Sequence, residues 1–112
     1  MANSFKVKTF DGSSTAGSTA MTLYTCPAST ETTVIGLTIA NISTSQILVD
    51  VTFENSDGDN VYIVKQAPIP VGGTLVPIGG EQKLVLEASD IIKVTSDTAN
   101  SADSTLSILE IT

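Results

Sequence analysis

The sequence predicts an all-β fold: an antiparallel β-sandwich, jelly-roll-like or immunoglobulin-like, of about eight strands. Three observations predict it. Short segments that alternate apolar and polar residues recur along the chain, separated by turn clusters at the spacing expected of a sandwich or barrel. Serine and threonine supply much of the polar surface, because only 15% of residues are charged, and β-branched threonine suits a pleated, half-exposed surface. No stretch is rich in the Ala, Leu, Glu and Lys that long helices favour. The 112 residues are enough for one core without staples. They divide into an N-terminal strand and flexible arm (1–18) and a single sandwich domain (19–112).

Phe5, Val7 and Thr9 alternate with Lys6 and Lys8, the pattern of a half-buried first strand. "DGSSTAGS", from Asp11 to Ser18, is small and polar and reads as the arm. "TAMTLYT" is a short strand ended by Cys26-Pro27. In "TTVIGLTIANI", Ile35, Leu37 and Ile39 are expected to share one face. After the turn "STSQ", Ile47, Val49, Val51 and Phe53 share one face of "QILVDVTFE" and Asp50, Thr52 and Glu54 the other, as in an antiparallel sheet wet on one side. "NSDGDN" holds the hairpin signal Asp-Gly. "VYIVKQ" is the next strand, and "APIPVGG", with Pro68 and Pro70, reads as a connection or a sheet edge. A short extended piece, "TLVPIGG", leads into the strands "KLVLE", "DIIKVTS" and "TLSILEIT". The last strand is apolar on both faces, with Leu106 and Ile108 on one and Leu109 and Ile111 on the other. It is therefore expected to be central, or covered by a partner subunit.

The formal charge is −7, and all five basic residues are lysine. Without arginine there is no planar fork for phosphate or guanine, and an acidic chain does not bind nucleic acid by counterion release. The charge suits a protein that stays soluble at high concentration. No run approaches the ~20 apolar residues of a membrane helix, and "MANSFKVKTF" does not resemble a signal peptide, so synthesis in a cytoplasm is expected.

Candidate chemistry is sparse. Gly79-Gly80 lacks the Gly-Lys-Ser/Thr and the helix that a phosphate loop needs, so it reads as a turn requiring positive φ. Cys26 is the one cysteine, which rules out an internal disulfide, and no histidine exists to activate it. The lack of histidine also removes Ser-His-Asp chemistry and most zinc sites. Between Asn55 and Asn60 several carboxylates and amides lie close together, but their spacing is not that of the twelve-residue calcium loop. The turn is read as a hairpin, with cation binding left open. No catalytic, cofactor-binding or metal-binding residue is assigned, and a non-enzymatic protein is expected.

"TLYTCPASTETTVIGLTIANIS", "VYIVKQAPIPVGGTLVPIGGEQKLVLEASDIIKVTS" and the closing "LSILEIT" together resemble a group of short virion structural proteins of tailed bacteriophages. The likeness runs from about residue 19 onward, with an aliphatic residue usual in the group where Cys26 stands. It implies a β-sandwich on the virion, made in the host bacterial cytoplasm, acting as a capsid decoration (cement) protein on the major capsid protein. The alternatives are a neck, tail or fibre component, or a host-surface or carbohydrate-binding module; the chain has no Trp and two Tyr, few platforms for sugar. A homo-oligomer is implied, and a trimer is the expectation by resemblance. The basic and aromatic start, Phe5, Lys6, Val7, Lys8 and Phe10, is the candidate interface with another virion protein or a neighbouring copy.

Overall fold

The computed structural model describes residues 3–12, 17–79 and 83–112. Among them the alternating segments form nine strands: β1 (Asn3–Phe10), β2 (Ala20–Thr25), β3 (Glu31–Asn41), β4 (Ile47–Glu54), β5 (Asn60–Ile69), β6 (Thr74–Ile78), β7 (Leu84–Leu86), β8 (Ile91–Ser96) and β9 (Ala102–Ile111). One sheet has the order β1-β9-β3-β6, with β7 also pairing to β3; the other has the order β2-β8-β4-β5. Every pairing is antiparallel. The expected all-β sandwich is what forms. The chain crosses between sheets after β1, β2, β3, β5, β7 and β8, and stays in one sheet at the β4–β5 hairpin and from β6 to β7. That is the jelly-roll order, with β6 and β7 sharing one strand position, rather than the immunoglobulin order.

The core lies between the sheets. Val34, Leu37 and Ile39 of β3 and Leu106 and Ile108 of β9 face Val49 and Val51 of β4 and Ile92 and Val94 of β8, all without exposed surface. Each such burial is worth about 1.5–3 kcal/mol. Leu86 and Ile78 close the core beneath β3. β9 is indeed a central strand, between β1 and β3.

Several expectations are corrected in detail. Ile35 does not share the inner face with Leu37 and Ile39. The register passes from Val34↔Ile108 to Gly36↔Ser107, so Ile35 is an extra bulge residue and Val34 takes the inner position. A bulge shifts the alternation by one. Of the two readings of "APIP", the sheet edge holds: β5 runs through Pro68 to Ile69 at the edge of its sheet, where a missing N–H is tolerated. β1 is a strand, but its faces are reversed. Phe5 and Val7 are exposed, while Lys6 stands on the inner side, opposite Ile108. Of the turn at Gly79-Gly80, Gly79 does not have positive φ, and Gly80 lies outside the described residues. So do residues 13–16 of the arm. The described ends of the arm are tied down: the Gly12 N–H donates to Asp103 Oδ1 at 3.0 Å, and the Ser18 N–H donates to the Ser96 carbonyl at 2.7 Å. A Cβ at Gly12 would fall 1.8 Å from the Ala102 carbonyl oxygen, which explains why glycine stands there.

One core position is suboptimal. The Ser104 hydroxyl is buried on the inner face of β9 and has no hydrogen-bond partner. Ser104→Ala is therefore expected to raise the free energy of unfolding by about 1 kcal/mol, read from urea melts. A loss of stability would show that the hydroxyl is bonded.

Candidate assembly surface

A cluster of buried polar side chains joins β1, β2, β3 and β9. In β2 the register passes from Thr22↔Lys93 to Tyr24↔Ile92. Leu23 is thus a bulge residue, and both it and Tyr24 are buried. Tyr24 Oη donates to Glu110 Oε2, and Lys6 Nζ lies 2.8 Å from Glu110 Oε1. With the tyrosine proton committed to Glu110, the Thr32 hydroxyl, 2.9 Å from Tyr24 Oη, is the donor of that pair. Cys26 Sγ lies 3.3 Å from Thr32 Oγ1 and 3.3 Å from the Thr30 carbonyl, so its thiol is held as a donor. The Lys6 ammonium, then the Tyr24 hydroxyl, hold the Glu110 carboxyl below the usual carboxylate range against the opposing effect of burial. Burial, reinforced by Glu110, pushes Tyr24 well above its ordinary value. Glu110 is thus an ionised acceptor and Tyr24 a neutral donor, each used within the cluster. The arrangement fastens the edge strands β1 and β2 to the centre of the sandwich.

Two further polar residues hold loops. Asp90 Oδ1 accepts from the Ser56 N–H at 2.9 Å and Oδ2 from the Glu87 N–H at 2.8 Å. Burial raises the pKa of Asp90, but the bonds from Ser56 and Glu87 outweigh it and hold the group below its ordinary value. Asn41 Nδ2 donates to the carbonyls of Ser45 and Ile69, both at 2.9 Å, and Asn41 Oδ1 accepts from the Ser43 N–H at 2.9 Å. The Asn55–Asp59 turn is a hairpin: the Gly58 N–H donates to the Asn55 carbonyl at 2.9 Å, with Gly58 at φ 104°. Asn55 Oδ1 already accepts from the Asp57 N–H at 2.7 Å.

Two surface hollows lie among the described residues. One, of about 320 Å³, lies among Thr9, Phe10, Asp11, Asp103, Ser104 and Thr105. The other, of about 350 Å³, lies among Ser18, Leu48, Asp50, Gln66, Thr95 and Asp97. Asp50 and Asp97 in the second each accept a backbone N–H, from Gln66 and Leu48 respectively. Neither hollow is lined by the Tyr24–Glu110 cluster.

The outer face of the β1-β9-β3 sheet is different in kind. The registers place Phe5, Leu109, Thr33 and Val85 side by side on β1, β9, β3 and β7. Val7, Ser107 and Gly36 form the row on one side, and Asn3, Ile111 and Glu31 the row on the other. Phe5 is 77% exposed, Val7 61% and Val85 58%. Glu31 and Asp103, at opposite ends, are the charges in these rows and in the next two, Thr9-Thr105-Thr38 and Asp103-Ala40-Thr74. The outer face of the other sheet carries Asp50, Glu54 and Lys93, with Lys93 Nζ 2.9 Å from Glu54 Oε1. Apolar residues exposed together make this face the candidate interaction surface.

The five expected interface residues separate into three groups. Phe5 and Val7 lie on the outer face. Lys6 and Lys8 take the alternate side, where Lys6 is bound to Glu110. Phe10 packs against the core. Val85 was missed, although Leu84 and Leu86 on the inner side imply that Val85 points out. Glu110 was missed as well, although it has the same parity as Leu106 and Ile108.

No protein-family model and no curated protein sequence matches the chain. Among solved structures, it is similar to a chain from the work described as "Bacillus endospore appendages form a novel family of disulfide-linked pili". The match has a TM-score of 0.54 and 14% identity, and covers 97% of this chain and 84% of the other. At that identity the likeness concerns the fold.

Proposed function

We propose that the chain is a non-enzymatic structural subunit of a bacteriophage virion, a capsid decoration protein. In this reading it docks on the outer surface of the major capsid shell through the outer face of the β1-β9-β3 sheet. The observation that carries the reading is the row Phe5-Leu109-Thr33-Val85, exposed at its Phe5 and Val85 ends and half-buried between them. Its ladder rows on β1, β9 and β3 hold only Glu31 and Asp103 as charges, with Lys83 and Glu87 flanking Val85 just outside the ends of β7. On a chain with formal charge −7, this is the face that approaches an apolar partner with the least electrostatic and desolvation cost. The sequence likeness to short phage virion proteins supports the particle. The fold neighbour, from a structure of pili, supports a role in a repeating assembly.

Phe5→Asp and Val85→Asp lie on one face but on strands at opposite sides of it, and both side chains are exposed. Each is expected to leave the folded domain unchanged by circular dichroism and to reduce co-sedimentation with particles at least about tenfold. Full binding by both variants would dismiss this face. Quantitative mass spectrometry of particles separates the roles: hundreds of copies for decoration, a few to dozens for a neck, tail or fibre part. The likeness to pilus chains favours a second reading, a filament subunit. It would show as filaments of the purified protein in electron micrographs.

A further inference from the structure

The sheets end in edges that differ sharply. β5 carries Pro68, and its register shifts on both sides of Val51↔Val64. Its bulge residue Gln66, at φ 51°, gives its N–H to Asp50 Oδ1 at 2.6 Å. β2 is six residues long and broken by the bulge at Leu23. β6 contains Pro77 and a register shift, and β7 has three residues. These are the devices by which sheet edges avoid pairing with other chains. β1 has no bulge, proline or shortening; its guard is charge alone, at Lys6 and Lys8, and Lys6 is paired with Glu110. Its ladder with β9 is unbroken from Asn3↔Ile111 to Phe10↔Ser104, it contains no proline, and Asn3 to Val7 are all exposed. Among the described residues no strand pairs with its other side.

We infer that β1 pairs edge to edge with β1 of a second copy of this chain, joining two five-stranded sheets across a two-fold axis. The occupant follows from the other edges. Pairing β1 with any other strand of a second copy would need one of the blunted edges, whereas β1 against β1 is self-complementary and closes at a dimer. Charge then selects the register. With Lys6 on the axis, Lys6 meets its own counterpart. With Val7 on the axis, Lys6 lies opposite Lys8 of the partner subunit. With Phe5 on the axis, the two phenylalanines lie opposite each other and Lys6 faces Ser4 of the partner subunit. Like charges directly opposite are destabilising and aromatic pairs favourable, so the Phe5-centred register is the one formed. The outer apolar rows of both copies then run on as one surface. In this register Asn3 to Val7 pair with their counterparts over about 17 Å, which buries less than the ~800 Å² per partner of a standard interface. The dimer is therefore weak and forms where copies are concentrated.

The inference is independent of the virion reading, and its test uses the purified full chain without particles. Sedimentation equilibrium over a wide concentration range is expected to show a monomer–dimer equilibrium. Phe5→Lys, which places two ammonium groups across the axis, is expected to weaken the dimer at least about tenfold. Val85→Lys, on the same face but away from the β1 edge, is expected to leave it unchanged. Circular dichroism confirms that both variants are folded. A monomer at all concentrations up to millimolar would overturn the inference, as would a trimer or a dimer indifferent to Phe5→Lys. Equal loss in Val85→Lys would also overturn it, since that result means face-to-face packing.

Discussion

Leu106→Ala is expected to lower the free energy of unfolding by about 2–5 kcal/mol. Leu106 has no exposed surface and stands on β9, which is paired on both sides, with Lys8 opposite on β1 and Leu37 on β3. Truncation removes the transfer free energy of the lost carbons. It also leaves a cavity, because a strand held by two ladders cannot move in to fill it. For a domain of this size the loss corresponds to a fall in Tm of more than about 10 °C. Differential scanning calorimetry of the two proteins at one pH checks it; a change below about 3 °C would mean that the core between β9 and β4 is not packed as described.

The second large effect concerns Glu110. Glu110→Ala removes the charged acceptor of the buried Tyr24 hydroxyl, which must turn to Thr32 Oγ1, and breaks the ion pair with Lys6, at an expected cost of about 2–4 kcal/mol. Lys6→Ala is expected to cost about 1 kcal/mol or less, because the lysine side chain is half exposed and its ammonium is screened. The same pair makes stability pH-dependent. Glu110 is held below its ordinary value of 4.5 by Lys6 and then by Tyr24. Its contribution is complete above the unfolded glutamate range and is lost as pH falls through the folded pKa. Asp90, also held low, acts in the same direction. Urea unfolding from pH 7 down to pH 3 should show a steeper loss for the wild type than for Glu110→Gln. Parallel curves for the two proteins would mean that Glu110 is not ionised in the fold.

The strands with unbroken alternation were legible in the sequence. Ile47, Val49 and Val51 of β4 and Ile92 and Val94 of β8 are inside as their spacing predicts. What was not legible depends on partners distant in the chain. In β1, alternation reveals two faces but not which one is covered. Lys6 turns inward because Glu110 waits there, more than a hundred residues on, and Phe5 is left on the outside. At Ile35 the pattern breaks because the bulge inserts a residue, and the following Gly36 was the available sign. The polar cluster was hidden for a related reason. Tyr24, Thr32 and Glu110 come from three strands, and their meeting follows from the jelly-roll order rather than from any local motif. The row Phe5-Leu109-Thr33-Val85 was half visible. The apolar second face of β9 pointed to it, but the row appears only when the registers of β1, β3 and β7 are known.

In the proposed role, the subunit assembles through the outer face of the β1-β9-β3 sheet. A cryo-electron microscopy map of the intact particle tests it most directly. The expected map shows jelly-roll density on the capsid with Phe5, Val7 and Val85 turned toward the shell and the outer face of the β8 sheet, bearing Asp50, Glu54 and Lys93, turned to solvent. Density with the opposite orientation, leaving the Phe5-Val85 row in solvent, would contradict it.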